Sequence, residues 1–112
     1  MAWTIEKALE DDAIESTEIT HSGYSFWLKG IPVEVSVVLS LNPAKGGFNF
    51  RLSHFIHTPN QIGPYHPSLP WGDDAAYALH RAVDAIASYY KAAVKEGHTP
   101  KDSWLVPNQS SI

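Results

Sequence analysis

Apolar and polar residues along this 112-residue chain follow two rhythms, one helical and one strand-like, and the switches between them mark its elements. In the first stretch Ile5, Ala8, Leu9 and Ala13 recur at helical spacing with acids between them, and Thr4 stands where a cap belongs. A short amphipathic helix is predicted. Glu6 suits the positive end of its dipole, whereas Asp11 and Asp12 oppose the negative end, so the helix needs tertiary packing. Trp3 and Ile5 are the expected anchors, with Trp3 plugging the core because its large apolar area favours burial.

From Ile14 to Ile56 the period falls to two. Ile14 to Thr20 reads as a first strand, punctuated by Gly23, and aromatic-rich Tyr24 to Leu28 reads as a second. A third runs from Val33 to Leu41, with Val33, Val35, Val37, Leu39 and Leu41 on one face. Pro32 at its start costs no interior ladder bond. Asn42-Pro43-Ala44-Lys45-Gly46-Gly47 has hairpin chemistry. The chain then returns as one strand, Phe48 to Ile56, with Phe48, Phe50, Leu52, His54 and Ile56 on a common face.

Residues 57–74 carry Pro59, Pro64, Pro67 and Pro70, which exclude regular structure, and loops of this length are functional or disordered. Tyr65, Leu69 and Trp71 favour a packed loop. A long helix over about residues 74–96 follows, capped by Asp73 or Asp74 and stopped at Gly97. Leu79, Ala82, Val83, Ile86, Tyr90 and Ala93 form its apolar face, with His80, Arg81, Asp84, Lys91 and Lys95 largely outside it. Trp104 to Val106 is a candidate last strand, and Pro107 to Ile112 reads as a frayed tail. The expected fold is α+β: an antiparallel sheet of three to four strands packed against one long C-terminal helix, with a short N-terminal helix. One domain, 1–112, is expected, divided into an acidic leader 1–18, a sheet-and-helix body 19–107 and a tail 108–112.

An apolar and aromatic content of 44% supports a single core, and the absence of cysteine removes disulfides and thiolate chemistry. No apolar run approaches the roughly 18 residues of a membrane span, and the first residues lack a secretory pattern. A soluble, cytoplasmic protein without membrane contact is the expectation. Eight basic against twelve acidic residues give a net charge of -4. Residues 1–18 hold Glu6, Glu10, Asp11, Asp12, Glu15 and Glu18 against Lys7, a net of -5, so residues 19–112 carry +1. The balance argues against direct nucleic-acid binding, and the acidic leader points to a basic protein partner.

Catalytic motifs are scarce. His57 and His66 could approach across the loop, with Asp73 or Asp74 as a third ligand, whereas His54 and His57 point to opposite faces of a strand. Zinc and iron sites usually need three ligands and supporting groups, so turn capping and stacking on Tyr65 or Trp71 weigh more for these histidines. Ser36, Ser40 and Ser53 lack a nucleophile elbow. The adjacent pairs Asp11-Asp12 and Asp73-Asp74 do not converge as an acid and a base. Gly46-Gly47 joins strands and opens no phosphate-binding helix. Phe48, Phe50 and Phe55 with Arg51 imitate an aromatic nucleic-acid platform, but core packing explains them as well. No catalytic residue and no cofactor are expected, and a small metal-dependent enzyme built on the histidine-rich loop is the minor alternative.

One ordering of motifs is familiar. Val33-Glu34-Val35-Ser36-Val37, the Gly46-Gly47-Phe48 hairpin and Trp71-Gly72-Asp73-Asp74-Ala75-Ala76-Tyr77-Ala78-Leu79 are followed by Ala82, Ala85-Ile86 and Tyr89-Tyr90, then by residues Glu96-Gly97 to Pro107. This pattern resembles the HicB-like domain, the partner-binding part of HicA–HicB toxin–antitoxin systems, over about residues 33–107. The Gly72-Asp73 step looks like the Gly-Asp-x-x-x-x-Ala start of that family's helix. Three departures stand beside it: the loop of residues 57–71 replaces a short Pro-x-Leu-x-Gly-Cys connection, an acidic leader and extra strand precede the domain, and no room is left for an appended DNA-binding part. The resemblance implies a β-β-β-α-β-like fold, a protein partner and possible homo-oligomers, and it carries over no catalytic residue. The expected function is a non-catalytic interaction module of antitoxin or inhibitor type. Tyr65, His66 and Trp71 form the first expected contact surface, and Glu6, Glu10, Asp11 and Asp12 the second. A phage or mobile-element inhibitor of a host defence nuclease is the nearest alternative.

Overall fold

The computed structural model describes residues 2–109. In chain order the elements are α1 (Ile5–Ala8), β1 (Ile14–Ile19), β2 (Tyr24–Leu28), β3 (Val35–Leu41), β4 (Phe48–Leu52), β5 (His54–Ile56), β6 (Trp71–Gly72), α2 (Ala75–Lys95), a 3-10 turn (Asp102–Trp104) and β7 (Leu105–Pro107). The fold is α+β, as the residue pattern predicts. Antiparallel strands form a five-stranded sheet in the order β1-β2-β3-β4-β6, and β5 and β7 pair as a separate two-stranded sheet. Among the described residues, no helix is long and apolar enough to cross a membrane.

The long helix is the element that the chain specifies most completely. Asp74 accepts the Tyr77 N–H at 2.8 Å, and Gly97 takes φ +95° just beyond the last turn. Ala78, Leu79, Ala82, Val83, Ile86, Ala87, Tyr90 and Ala93 are buried on one face. All but Ala78, which lies against Gly72, join Phe26, Leu28, Val35, Val37, Phe50, Leu52 and Ile56 in one core cluster. The alanines let backbone approach backbone: a Cβ at Gly72 would lie 2.5 Å from the Ala78 nitrogen. Tyr90 donates its hydroxyl to the Lys29 carbonyl and stands edge-on to Trp104. Burial, with a smaller contribution from Glu15, pushes its phenol pKa up.

Two strand expectations need correction. The sheet has one more strand than the three to four expected, because Trp71-Gly72 leaves the proline-rich loop to pair with Phe48 and Asn49. The return strand also breaks at Ser53. Its N–H donates to the Ser36 carbonyl at 3.0 Å, and its Oγ accepts the Ser36 N–H at 2.8 Å. Past this corner the chain abandons β3 and pairs with β7, Ile56 opposite Leu105. Burial of the β3 face also fades, from Val35 and Val37 at 0% to Leu41 at 72%, as the hairpin leaves the cover of α2. At the other edge, β1 has a register shift between Ile14 and Ser16 and exposes Glu15 and Glu18, features that discourage pairing with another strand.

The leader is also corrected. Thr4 does cap α1, accepting the Lys7 N–H at 3.1 Å, but the helix lasts one turn. Asp11 then accepts the Ala13 N–H at 2.9 Å, a local turn bond that competes with helix continuation. Ala8, Leu9 and Ala13 are buried, whereas Trp3 remains 37% exposed. Trp3 therefore is not the core plug; its indole stacks on His80 instead. In the tail, Pro107 belongs to β7, and Asn108 donates its N–H to Ser53 and its amide to the Leu52 carbonyl. Fraying is thus not seen through Asn108, and residues 110–112 lie outside the described residues.

The hairpin glycines give a direct test of the packing. Gly46 and Gly47 take φ +76° and +69°, but an added Cβ is unobstructed only at Gly46; at Gly47 it falls 2.5 Å from the Gly72 carbonyl oxygen. In urea unfolding Gly46→Ala is expected to lose about 1–2 kcal/mol from left-handed strain alone. Gly47→Ala should lose clearly more. Equal losses would show that β6 is not held rigidly against the hairpin.

Candidate interaction site beside the proline-rich loop

The loop after β5 is fixed by its own polar groups. Thr58, 2% exposed, donates its N–H to the Gln61 side chain at 2.8 Å, and the Gln61 N–H returns to the Thr58 carbonyl at 3.0 Å. The Gln61 amide also donates to the Ile56 and Gly63 carbonyls at 3.0 and 3.3 Å. Further on, the Tyr65 N–H donates to Ile56, and the Phe50 N–H to Pro70 at 2.9 Å. A loop that four prolines exclude from helix or strand pairing is thereby stitched down at both ends.

Two aromatic contacts hold its middle. Tyr65 lies with its ring centroid 4.8 Å from that of Tyr89 on α2, and His66 stacks on Phe55 at 4.1 Å. On either side of this strap is a concavity. The first, about 260 Å³, lies against α2 and is lined by Tyr65, Arg81, Asp84, Ser88 and Tyr89. The second, about 200 Å³, lies against the sheet corner and is lined by Arg51, Phe55, His66, Pro70 and Asn108. Phe50 and Pro67 contribute to both, so the pockets are neighbours across one wall.

Their chemistry differs. In the first, Arg81 donates to the Trp71 carbonyl at 3.0 Å, Asp84 follows one turn later, and Ser88 donates to the Asp84 carbonyl at 2.7 Å. Opposite charges and phenols between aromatic walls suit a peptide or another group with both donors and acceptors. The second pocket, walled by Phe55, His66 and prolines, suits an apolar side chain.

The residues singled out in the sequence are thus only partly brought together. Tyr65 and His66 flank the shared wall. Trp71 does not join them: it lies in β6, bonds Gly46 through its indole N–H at 2.8 Å and receives the Lys45 ammonium 4.1 Å from its ring centroid. Its strand pairing takes the indole to the hairpin, and only its carbonyl reaches Arg81. Glu6, Glu10 and Asp12 are exposed on the leader. Asp11 is partly covered and forms an ion pair with Lys91 at 3.1 Å. His57 donates from Nε2 to the Gln61 carbonyl at 3.2 Å, so it braces the loop, while His66 is engaged by Phe55. Among the described residues no three His, Asp or Glu side chains form a metal-ligand set.

Arg81, Asp84, Ser88 and Tyr89 are the site residues that the sequence reading missed. Their spacing of three, four and one residues places them along one flank of α2, and that stripe was the available signal. Ser53 and His54 also touch, Oγ to Nδ1 at 2.8 Å, but the same hydroxyl accepts the Ser36 N–H and serves the sheet corner. No family model, curated protein or solved structure matches the chain.

Two histidines make stability depend on pH. Burial lowers the pKa of His54. Burial also lowers that of His80, where Asp84 and Asp11 oppose the shift and Arg81 reinforces it. The unfolded chain, with histidines near the ordinary value of about 6.5, then binds protons more readily than the folded one. This contribution is complete above that value and is lost as pH falls towards the folded pKa values. The urea midpoint should decline between about pH 7 and 5, and the His54→Gln/His80→Gln double variant should decline less. An identical decline in both proteins would refute the assignment.

Proposed function

We propose that this chain is a non-catalytic protein-interaction module, HicB-like and of antitoxin or inhibitor type, that binds a basic, toxin- or nuclease-like protein. The observation that carries the reading is the stitched loop with a polar pocket on one side and an apolar pocket on the other. A surface already ordered loses little entropy when it is bound, and a pair of unlike pockets gives both affinity and orientation. Ile62, 106% exposed, and Leu69, 49% exposed, add apolar contact on the same loop. Exposed Glu6, Glu10 and Asp12 supply the acidic surface that would steer a basic partner. From β3 onward the chain runs β3, β4, β5, β6, α2, β7, with β7 paired to β5 outside the main sheet, so the HicB-like part of the reading rests on the residue pattern alone. An inhibitor of a defence nuclease would use the same two surfaces and differ only in the partner.

The test is capture of a partner from the host cell, followed by affinity measurement with purified proteins. His66→Ala and Asp84→Ala alter one exposed lining residue of each pocket, and each should weaken binding about tenfold, or roughly 1.4 kcal/mol. Reversing Glu6, Glu10 and Asp12 to lysine should slow association and flatten its salt dependence. A captured partner whose binding is untouched by all of these changes would end the proposal.

A further inference from the structure

Each residue of an antiparallel strand points its N–H and C=O to one side, and successive residues alternate sides. Two bonds fix that phase in β3: the Ser53 N–H donates to the Ser36 carbonyl, and the Asn42 N–H to the Gly47 carbonyl, both at 3.0 Å. Even-numbered residues of β3 therefore face β4, whereas Val35, Val37, Leu39 and Leu41 face the β2 side. Pairing with β2 ends at Tyr24 opposite Val37. Beyond it, the N–H and C=O groups of Leu39 and Leu41 have no hydrogen-bond partner among the described residues. The hairpin thus projects past β2 and leaves a notch edged by open backbone groups.

Other edges of the sheets are guarded. β1 carries a register shift and the exposed Glu15 and Glu18. In β6 the Trp71 carbonyl accepts from Arg81, and the Trp71 N–H donates to the Leu69 carbonyl at 2.8 Å. β7 ends on Pro107, which has no N–H to offer. Val38 to Leu41 has no charge, proline or bulge, and its residues suit a strand. Its side chains are also open: Val38 is 43% and Leu41 72% exposed. Ile19, 66% exposed, lies across the notch on the same face as Leu39 and Leu41.

The turn from Thr20 to Gly23 closes the inner end, where a Cβ on Gly23 would fall 2.2 Å from the Val37 carbonyl oxygen. That turn decides against a second copy of the chain. Pairing two copies with Leu39 opposite Leu41 would satisfy all the open groups, but it would put Asn42 of the copy beside Val38, where Gly23 already stands. An extended segment of a different protein needs no such turn. Charge narrows it further. A concavity of about 180 Å³ lies at the inner end on the opposite face, lined among others by Thr20, Ser25, Glu34, Ser36 and Val38. Glu34 is its one charged lining residue; it accepts the Ser25 hydroxyl at 2.5 Å and has no ion pair among the described residues.

We propose that the open half of β3, Val38 to Leu41, receives an extended segment of a partner protein as an added strand. The segment bonds the backbone of Leu39 and Leu41, lays apolar side chains beside theirs and turns a lysine or arginine towards Glu34. The notch shares no lining residue with the loop pockets, and its occupancy is independent of theirs.

Titration of the full chain with the peptide acetyl-Thr-Val-Lys-Val-Thr-amide, followed by the NMR signals of the Leu39 and Leu41 N–H groups, tests it. In the added strand both valine N–H groups face β3 and the lysine points to the Glu34 face. Saturable shifts at Leu39 and Leu41 are expected, with binding at least about tenfold weaker when both valines are N-methylated. Replacing the peptide's lysine by glutamate should weaken binding severalfold, and so should Glu34→Gln in the chain. Leu41→Pro removes an N–H that faces the notch and not β4, so it should abolish peptide binding, read by calorimetry, and keep the hairpin. The proposal is overturned if the N-methylated peptide binds as well as the parent, if the glutamate peptide does, or if no saturable shift appears at Leu39 and Leu41. It is equally overturned if the chain sediments as a dimer that Leu41→Pro converts to a monomer, which would put a second copy in the notch.

Discussion

The close approach of α2 to the sheet is the constraint on which the rest of the structure depends. At Gly72 and Ala78 the two backbones are so near that no side chain fits between them, and the same glycine carbonyl lies over Gly47 of the hairpin. Small residues on α2 make this distance possible. Once it is set, β6 is clamped between helix and hairpin, and the loop that leads into β6 must cross from the sheet corner to the helix start. The strap and its pockets follow from that path. Arg81 reinforces it by bonding the Trp71 carbonyl, so one side chain both secures β6 and lines the polar pocket.

The acidic leader has a comparable dual character. Ala8, Leu9 and Ala13 are buried with the core, and Asp11 pairs with Lys91 on α2. An ion pair this exposed contributes at most about 1 kcal/mol, so the apolar residues hold the leader and the ion pair mainly sets its position. Glu6, Glu10 and Asp12 remain outward as a fixed acidic surface. Trp3 is carried by the same segment onto His80, which gives the exposed indole a defined orientation at the start of α2.

Two concavities of different chemistry therefore lie on either side of the strap. The polar pocket opens along the flank of α2 and the apolar one against the sheet corner. Their common property is rigidity: each has a wall on α2 or on a loop segment tied down by hydrogen bonds. A surface that is already ordered loses little entropy when it is bound.

Local chemistry alone determined much of this protein. The cap at Asp74, the stop at Gly97, the apolar face of α2, the turn at Asn42–Gly47 and the alternation in β2 and β3 are all legible, because each depends on residues within a few positions of one another. Tyr65 and His66 could be picked out by residue type in a loop too long to be a mere connector. The tertiary structure decided the rest. Period-two alternation reads the same whichever strand lies alongside, so the exchange of partner at Ser53 left no trace in the pattern. Trp71 looked like a loop aromatic until pairing with Asn49 drew its indole to the hairpin. Trp3 carried the composition of a core residue, but the one-turn helix buried Ala8 and Leu9 and left the indole half in solvent. The Arg81–Tyr89 stripe looked like solvated helix surface. It became a pocket wall only because a strap encoded some 20 residues earlier was fastened across it.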